Sequence, residues 1–491
     1  MTKHLHIDTQ AMRAKILDLA IQGKLTDQRA EDGNAQDLLK DIQAEKEKLI
    51  KEQQIKKEKP LPEIEADEIP FEIPKNWMWA RWGTLSISIK YGYNTSAQKD
   101  GKIKMVRISD IQNNQVNWDS VPFCNIPKEE ITQYLLRKND ILFARTGGTV
   151  GKSYLVSEVP ENVVYAGYLI RTRYSEKLSP QYLKYFMESD LYWSQLKKGT
   201  TTTAQPNCNA KTLGKMVLPL PPLAEQKRIA DKVATLFAQL DAIDKAYEEY
   251  RELQQTMKAK LLDLAVQGKL TDQREEDGNA RDLLKEIQAE KEKLIKEKQI
   301  KKEKPLPEIT EEEKTFDIPE NWMWVRLGEM ILNHIGGGTP DKSNEAYWNG
   351  DIPWMSVKDV HQDSMYADRT IDSITPAGLE NSSSNLIEAN RLIVVMRMAV
   401  GRAVINKLPV AINQDLRALF FRDNVTQEYI LRIFKILKFE TSGMTVKGIK
   451  LWVLLNTPIP LPPLAEQKRI VAKLDELLPL CNVPGVYSKE K

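Results

Sequence analysis

The chain repeats itself. Ala14–Ile64 (AKILDLAIQGKLTDQ…KKEKPLPEI) recurs without a gap as Ala259–Ile309, identical at 45 of 51 positions. Pro219–Ile229 (PLPPLAEQKRI) recurs unchanged as Pro460–Ile470. The first repeat has an offset of 245 and the second an offset of 241, so the stretches between them, about 83–218 and 328–459, are similar in length. Their sequences are plainly different. Self-similarity at a fixed offset marks a supersecondary unit used more than once. Here one framework is used twice and carries two dissimilar inserts.

Between the repeated blocks runs Leu223–Gln267, entered through Pro219–Pro222 and free of proline and glycine until Gly268. Prolines suit the approach to a helix and not its interior. Ile229, Val233, Leu236, Leu240, Ile243, Tyr247, Tyr250, Met257, Leu261 and Leu264 recur at alternating spacings of 4 and 3, with Gln254 as the one polar break. That period predicts a coiled-coil helix. At about 1.5 Å per residue it is roughly 65 Å long, with Gly268 as its C-cap. Its other face is almost wholly charged, which argues against burial in one large core. Met12, Ile16 and Leu19 match the end of this helix, and Ile470, Leu474 and Leu477 match its start. The second coil helix is therefore split, front at the C-terminus and rear at the N-terminus. This circular internal repeat predicts an antiparallel pair with a pseudo-twofold axis. The split partner falls roughly two turns short, because Asn482–Lys491 does not continue the heptads.

At 491 residues the chain exceeds one typical domain. A net charge of +2 excludes a general polycation, so any nucleic-acid contact comes from local patches. Cys124, Cys208 and Cys481 have no CxxC spacing, which fits a reducing compartment better than a disulfide scaffold or zinc site. With no secretory signal and no apolar run of ~18 residues, a cytoplasmic protein is expected. His4 and His6 form a His-x-His pair without a third ligand in view, which reads as a frayed terminus.

A second helix is predicted over about 35–57, with a twin over about 280–302. Leu38, Leu39, Ile42, Leu49 and Ile50 line one side of the first copy. Glu and Lys alternate on the rest, as on a solvated face. Because the helix occurs twice, it is a candidate docking surface for two copies of a partner, with Ile42, Leu49, Ile287 and Leu294 as the partner-binding residues. Trp77 and Trp79, and their twins Trp322 and Trp324, read as core anchors at the entry to each insert. The first insert reads as strands at 85–91, 102–108, 140–145, 153–156 and 168–174, then a helix over 180–196. Ile103–Ile111 (IKMVRISDI) answers Ile352–Val360 (IPWMSVKDV), and Asp140–Arg145 loosely answers Asn390–Arg397. Both inserts are expected to share a mixed α/β fold with diverged loops.

Gly147–Ser153 (GGTVGKS) tempts towards a phosphate-binding loop, but that pattern needs glycine where Thr146 stands. A strand–turn–strand with a basic tip is the better reading. No Asn/Asp-Pro-Pro-Tyr occurs, Glu312-Glu313-Lys314 is a chance triplet in a Glu/Lys-rich linker, and the four histidines show no nucleophile–base pairing. No catalytic constellation and no metal site emerge. Recognition remains. The first insert offers Lys90, Tyr91, Tyr93, Asn94, Thr95, Arg145, Thr146, Lys152, Lys197, Lys198, Thr200, Gln205 and Asn207. The second offers Thr339, Lys342, Ser343, Lys358, Arg397, Arg402, Asn413, Gln414, Arg417 and Lys447. Arg suits guanine, and Asn or Gln suits adenine, in the major groove. Lys and Thr suit phosphates.

PLPPLAEQKRI before a long helix, used twice, resembles the specificity subunit of type I restriction–modification systems. So do Gly-Lys-Leu-Thr-Asp-Gln and Ile-Gln-Ala-Glu-Lys-Glu-Lys-Leu-Ile-Lys. The resemblance implies two target-recognition domains (83–218 and 328–459) held apart by two antiparallel conserved helices. The conserved regions would be 1–82, 219–327 and 460–491, the last shortened. It implies no catalysis by this chain. Double-stranded DNA, two modification subunits using S-adenosylmethionine to methylate adenine, and restriction subunits using ATP and Mg2+ would be the partners. Different inserts imply an asymmetric, bipartite site. The coil would act as a ruler, with half-sites about one DNA turn, roughly 34 Å, apart. The alternative is a coiled-coil adaptor whose inserts bind protein.

Overall fold

The computed structural model describes residues 7–199, 207–362, 364–437, 439 and 447–481. His4, His6 and the tail 482–491 lie outside them. The chain divides into two compact units, one ending at Tyr247 and the other beginning at Glu248. The predicted coil helix is a single helix, Leu223–Val266, of 44 residues, and it contributes its front half to one unit and its rear half to the other. Its end is as expected. Gly268 takes φ +67°, and the Lys269 N–H donates to the Leu264 carbonyl at 2.9 Å. Gly23 repeats this turn at φ +70°. A Cβ on either glycine would also lie 2.5 Å from a ring carbon of Pro74 or Pro319. Both conformation and space therefore demand glycine there.

In the first unit, helix Thr9–Ile21 runs antiparallel to the front of the long helix. Thr9 donates to Asp244 at 2.7 Å, and Arg13 reaches Asp241 at 2.7 Å while lying over the Phe237 ring. Ile229, Val233 and Leu240 are buried there. In the second unit Leu261 packs on a core that includes Ile470 and Leu474 of helix Leu464–Leu477. Between these covered ends the seam opens, with Tyr250 48% and Met257 53% exposed. Among the described residues, the partner helices Thr9–Ile21 and Leu464–Leu477 have 13 and 14 residues against 44.

Each unit repeats one joint. Strand Met78–Arg81 pairs antiparallel with Val217–Leu220, and Met323–Arg326 with Pro458–Leu461. The motif's first two residues, Pro219-Leu220 and Pro460-Leu461, thus close an edge strand, where a missing N–H is tolerated. Glu225, fully buried at the start of the long helix, accepts from Trp77 Nε1 and Gln28 Nε2, both at 2.7 Å, and from Thr26 Oγ1 at 3.2 Å. Glu466 accepts from Trp322, Gln273 and Thr271 in the same way. Trp77 and Trp322 are core anchors, as expected, whereas Trp79 and Trp324 are half-buried and pack on Phe71 and Phe316. Arg228 closes a bidentate pair with Asp32 at 2.6 Å, holding that carboxyl below its usual range, and Arg469 does so with Asp277. Gln226 receives the Ser179 N–H and donates to the Pro221 carbonyl.

The inserts share a topology. In the first, Ser86–Tyr91, Leu169–Tyr174, Ile141–Ala144 and Ser153–Leu155 are neighbours in that order. In the second, Asn333–Gly336, Leu416–Phe420, Leu392–Val395 and Ala403–Asn406 follow the same order, with Tyr366–Ala367 added. Ile103–Val106 pairs parallel with Val163–Tyr165, and Trp348–Met355 with Val410–Ile412. The expected match of IKMVRISDI with IPWMSVKDV holds down to the following turn: Arg107 and Ser356 N–H groups each donate to Asp110 or Asp359 at 2.8 Å. Three boundaries differ from expectation. The helix over 180–196 is two helices, Pro180–Phe186 and Asp190–Gly199, because Ser189 caps a new start. The charged helices end at Lys51 and Lys296, where Gln53 and Lys298 turn left-handed. Each insert shares one apolar core with its framework, so that Phe143 and Tyr182 cluster with Ile42, Trp77 and Ile229.

Two outcomes are expected. Glu225→Ala leaves the buried Trp77 indole N–H without an acceptor, at about 1–3 kcal/mol, and lowers the unfolding temperature of the first unit; Glu225→Gln, which keeps an acceptor, lowers it less. The second concerns Glu313, which bonds the buried Arg326 and the Thr310 N–H and is held at about 2 against an ordinary 4.5. A depressed folded-state value stabilises above the unfolded one. The stability difference between the chain and Glu313→Gln should be constant above pH ~4.5 and vanish as pH falls through ~2, as read by denaturation at stepped pH.

Candidate nucleic-acid interface

In the first unit the predicted residues gather at one end of the sheet. The Arg145 guanidinium lies 4.7 Å from the centre of the Tyr91 ring. Thr146 bridges Asn207, and the Cys208 N–H donates to the Arg145 carbonyl at 2.9 Å. The Tyr91 hydroxyl accepts from the Ala210 N–H. Lys90 stands opposite Arg171 in register, and burial together with Arg171 and Arg173 pushes its ammonium below its ordinary value. Gly147–Thr149 is a turn between strands Ile141–Ala144 and Ser153–Leu155, which disposes of the phosphate-loop reading. Lys152 is exposed at the end of that turn. A Cβ on Gly151 would meet Leu196 and Trp193, so the turn rests on the helix that carries Lys197 and Lys198. Tyr93 packs on Tyr134, with ring centres 5.2 Å apart, and is less available than expected. Asn94 is exposed and Thr95 half-buried. Thr200 and Gln205 lie outside the described residues.

The second unit is more closely assembled. Thr339, Lys342, Lys358, Asn413 and Gln414 line one open cavity of about 450 Å³. Trp348, Trp354, Ser356, Val357, Asp372, Met398 and Asp415 complete its wall. Thr339 Oγ1 donates to Gln414 Oε1, and Asn413 Nδ2 donates to Asp415 at 3.2 Å. Arg397 sits on the rim, half exposed and paired with Asp415 at 2.7 Å. The other predicted residues are not brought there. Arg417 is bonded to His334 at 2.8 Å, and His334 to Glu303. Burial and the Arg417 charge push that imidazole below its ordinary value. Arg402 reaches only the Val360 carbonyl, Ser343 turns back on Asp341, and Lys447 is exposed beyond the rim.

Residues 89–250 and 319–482 both match the family described as the type I restriction modification DNA specificity domain. The chain belongs to the type I restriction–modification specificity subunits. It is 27% identical to the EcoEI specificity subunit of Escherichia coli, over 96% of this chain and 89% of that one. It is equally identical, with the same coverage, to the EcoAI specificity subunit of Escherichia coli. A solved chain from work on complex assembly and conformational transition of the type I R-M system shares the fold, with a TM-score of 0.55 at 23% identity over 84% of this chain and 92% of that one. These relatives are named for specificity, and this subunit is likewise non-catalytic. Among the described residues, no helix is long and apolar enough to cross a membrane.

In this specificity subunit the expected partner-binding residues need correction. Ile42 and Ile287 are each 0% exposed, inside the cores of their own units. Leu49 and Leu294 are half-buried. The apolar side of each charged helix packs inward, where Lys46 and Lys291 also bond carbonyls of Gly83 and Gly328. The accessible face is therefore the Glu/Lys face, an ordinary amphipathic division.

Sequence reading missed the cavity's tryptophans and Met398. Met398 has φ +72° and is 68% exposed. Its counterpart is Gly147, at φ +74°, since Thr146 and Arg397 hold matching bridges to Asn207 and Gly448. Setting GGTVG against MAVG would have put the oddity in view. A side chain in the left-handed region costs about 1–2 kcal/mol, so Met398→Gly should unfold at a temperature equal to or above that of the wild type, as measured by differential scanning calorimetry.

Proposed function

We propose that each unit reads one half of an asymmetric, bipartite DNA site, and that the subunit presents this site to two modification subunits for adenine methylation. The observation that carries this reading is the cavity of the second unit. There an amide pair (Asn413 and Gln414) stands with two lysines and a threonine. Amides pair bidentately with adenine in the major groove, while Lys and Thr side chains bond phosphates and fix register. In the first unit the stacked Arg145 and Tyr91, beside Thr146 and Asn207, offer a different set. Different side chains at equivalent loop positions read different bases, which is why the site would be asymmetric, with an unread spacer between its halves.

The near-identity of the two frameworks supports two equivalent docking places for modification subunits, with the Glu/Lys faces of Ala35–Lys51 and Ala280–Lys296 as the surfaces in view. Extruding the target base would be the partner's work. S-adenosylmethionine would sit in those partners, and ATP and Mg2+ in restriction subunits of a full complex.

The test is to co-express the chain with its cognate modification subunit in a methylation-free host and map N6-methyladenine across the genome. One gapped, asymmetric motif is expected. Replacing the first insert, at boundaries that keep the Ser179 bond to Gln226, should change one half of that motif and leave the other. A change in both halves would overturn the modular reading. A stable complex that neither methylates nor binds DNA would favour a protein-binding adaptor.

A further inference from the structure

The turn Arg397–Gly401 joins strands Leu392–Val395 and Ala403–Asn406. Its tightest point is Met398. The Ala399 N–H donates to the Arg397 carbonyl at 2.9 Å, closing a three-residue turn around it. With φ at +72° this is the rare, strained form of that turn. The Met398 N–H is fixed as well, donating to the Lys447 carbonyl at 2.9 Å. The backbone is thus held from both sides in a state that favours glycine, and the first unit has glycine there. Around Gly147 an added Cβ would meet nothing within 4 Å. The fold does not need a side chain at this position.

Met398 nevertheless carries a long apolar one, 68% exposed, on the wall of the cavity that holds Lys358, Asn413 and Gln414. An unbranched thioether neither donates strongly nor carries charge. Trp348, Trp354 and Val357 are also apolar and line the same wall, but they are buried or half-buried, so Met398 is the apolar side chain that stands exposed beside the amides and ammonium groups. Among base edges in the major groove, the apolar feature is the C5-methyl group of thymine.

We propose that Met398 is a specificity-determining residue of the second unit, making the apolar contact that reads a thymine methyl in that unit's half-site. This rests on the DNA-reading function proposed above. It is tested with the full chain in complex with its modification subunits, on duplex oligonucleotides bearing the mapped motif. Each thymine of the half-site is replaced in turn by deoxyuridine, which removes the methyl group alone. At one position the wild-type methylation rate should fall roughly four-fold. Met398→Gly, which suits the backbone and folds, should start at the lower rate and ignore that replacement. Met398→Leu, still apolar, should stay sensitive to it. The proposal is overturned if the half-site contains no thymine, or if every replacement affects the wild type and Met398→Gly alike. If the wild-type complex methylates no motif at all, the DNA-reading function fails first and takes this inference with it.

Discussion

A buried carboxylate at each helix start organises the molecule. Glu225 and Glu466 sit in the first turn of their helices, where the helix dipole favours negative charge. Each also gathers a tryptophan, a glutamine and a threonine from chain segments about 140 to 200 residues away. A charge taken out of water is tolerated when its lone pairs are filled. That requirement joins the end of one coil helix to the head of the other. In the first unit the N-terminal Thr26 and Gln28 meet Glu225; in the second, Thr271 and Gln273 meet Glu466. The circular order of the repeats is thus a physical linkage.

The same joint explains the invariance of the repeated motif. In PLPPLAEQKRI the first Pro-Leu closes an edge strand, the glutamate takes the indole, the glutamine donates to the Pro221 or Pro462 carbonyl and in the first copy also accepts from the insert's Ser179, and the arginine pairs with an aspartate. The glutamate, glutamine and arginine each have their own partner, so few substitutions at those three positions are neutral. The inserts carry no such burden beyond their contact surface. Their loops have diverged while strand order stayed the same. Part of each insert nevertheless packs into one apolar core with its framework, so modularity ends at that surface and not at a linker.

The candidate recognition residues lie at loops held by rigid strands, which is where sequence change costs least stability. The two units solve one architectural problem with different chemistry. One places a guanidinium over a tyrosine ring. The other builds a cavity walled by tryptophan, amides and lysines. Arg417, chosen by residue type as a contact, shows the limit of that choice: its position on a central strand spends its charge on His334.

Period and repetition were legible in the sequence because they are local and cumulative. The 44-residue helix, its glycine stop, the split partner and the duplicated framework follow from heptads and identical blocks. Several contributing strands and the turn at Gly147 followed from alternation and from Thr146 breaking the phosphate-loop pattern. Burial across segments was not legible. Ile42 and Ile287 lie on an amphipathic stripe that fits an outside partner as well as an inside core, and the neighbouring strands decide for the core. The cavity and Met398 likewise depend on loops far apart in sequence meeting at one strand end. Composition cannot report a left-handed backbone angle, because that angle is set by hydrogen bonds to the Lys447 and Arg397 carbonyls that exist once the chain is folded.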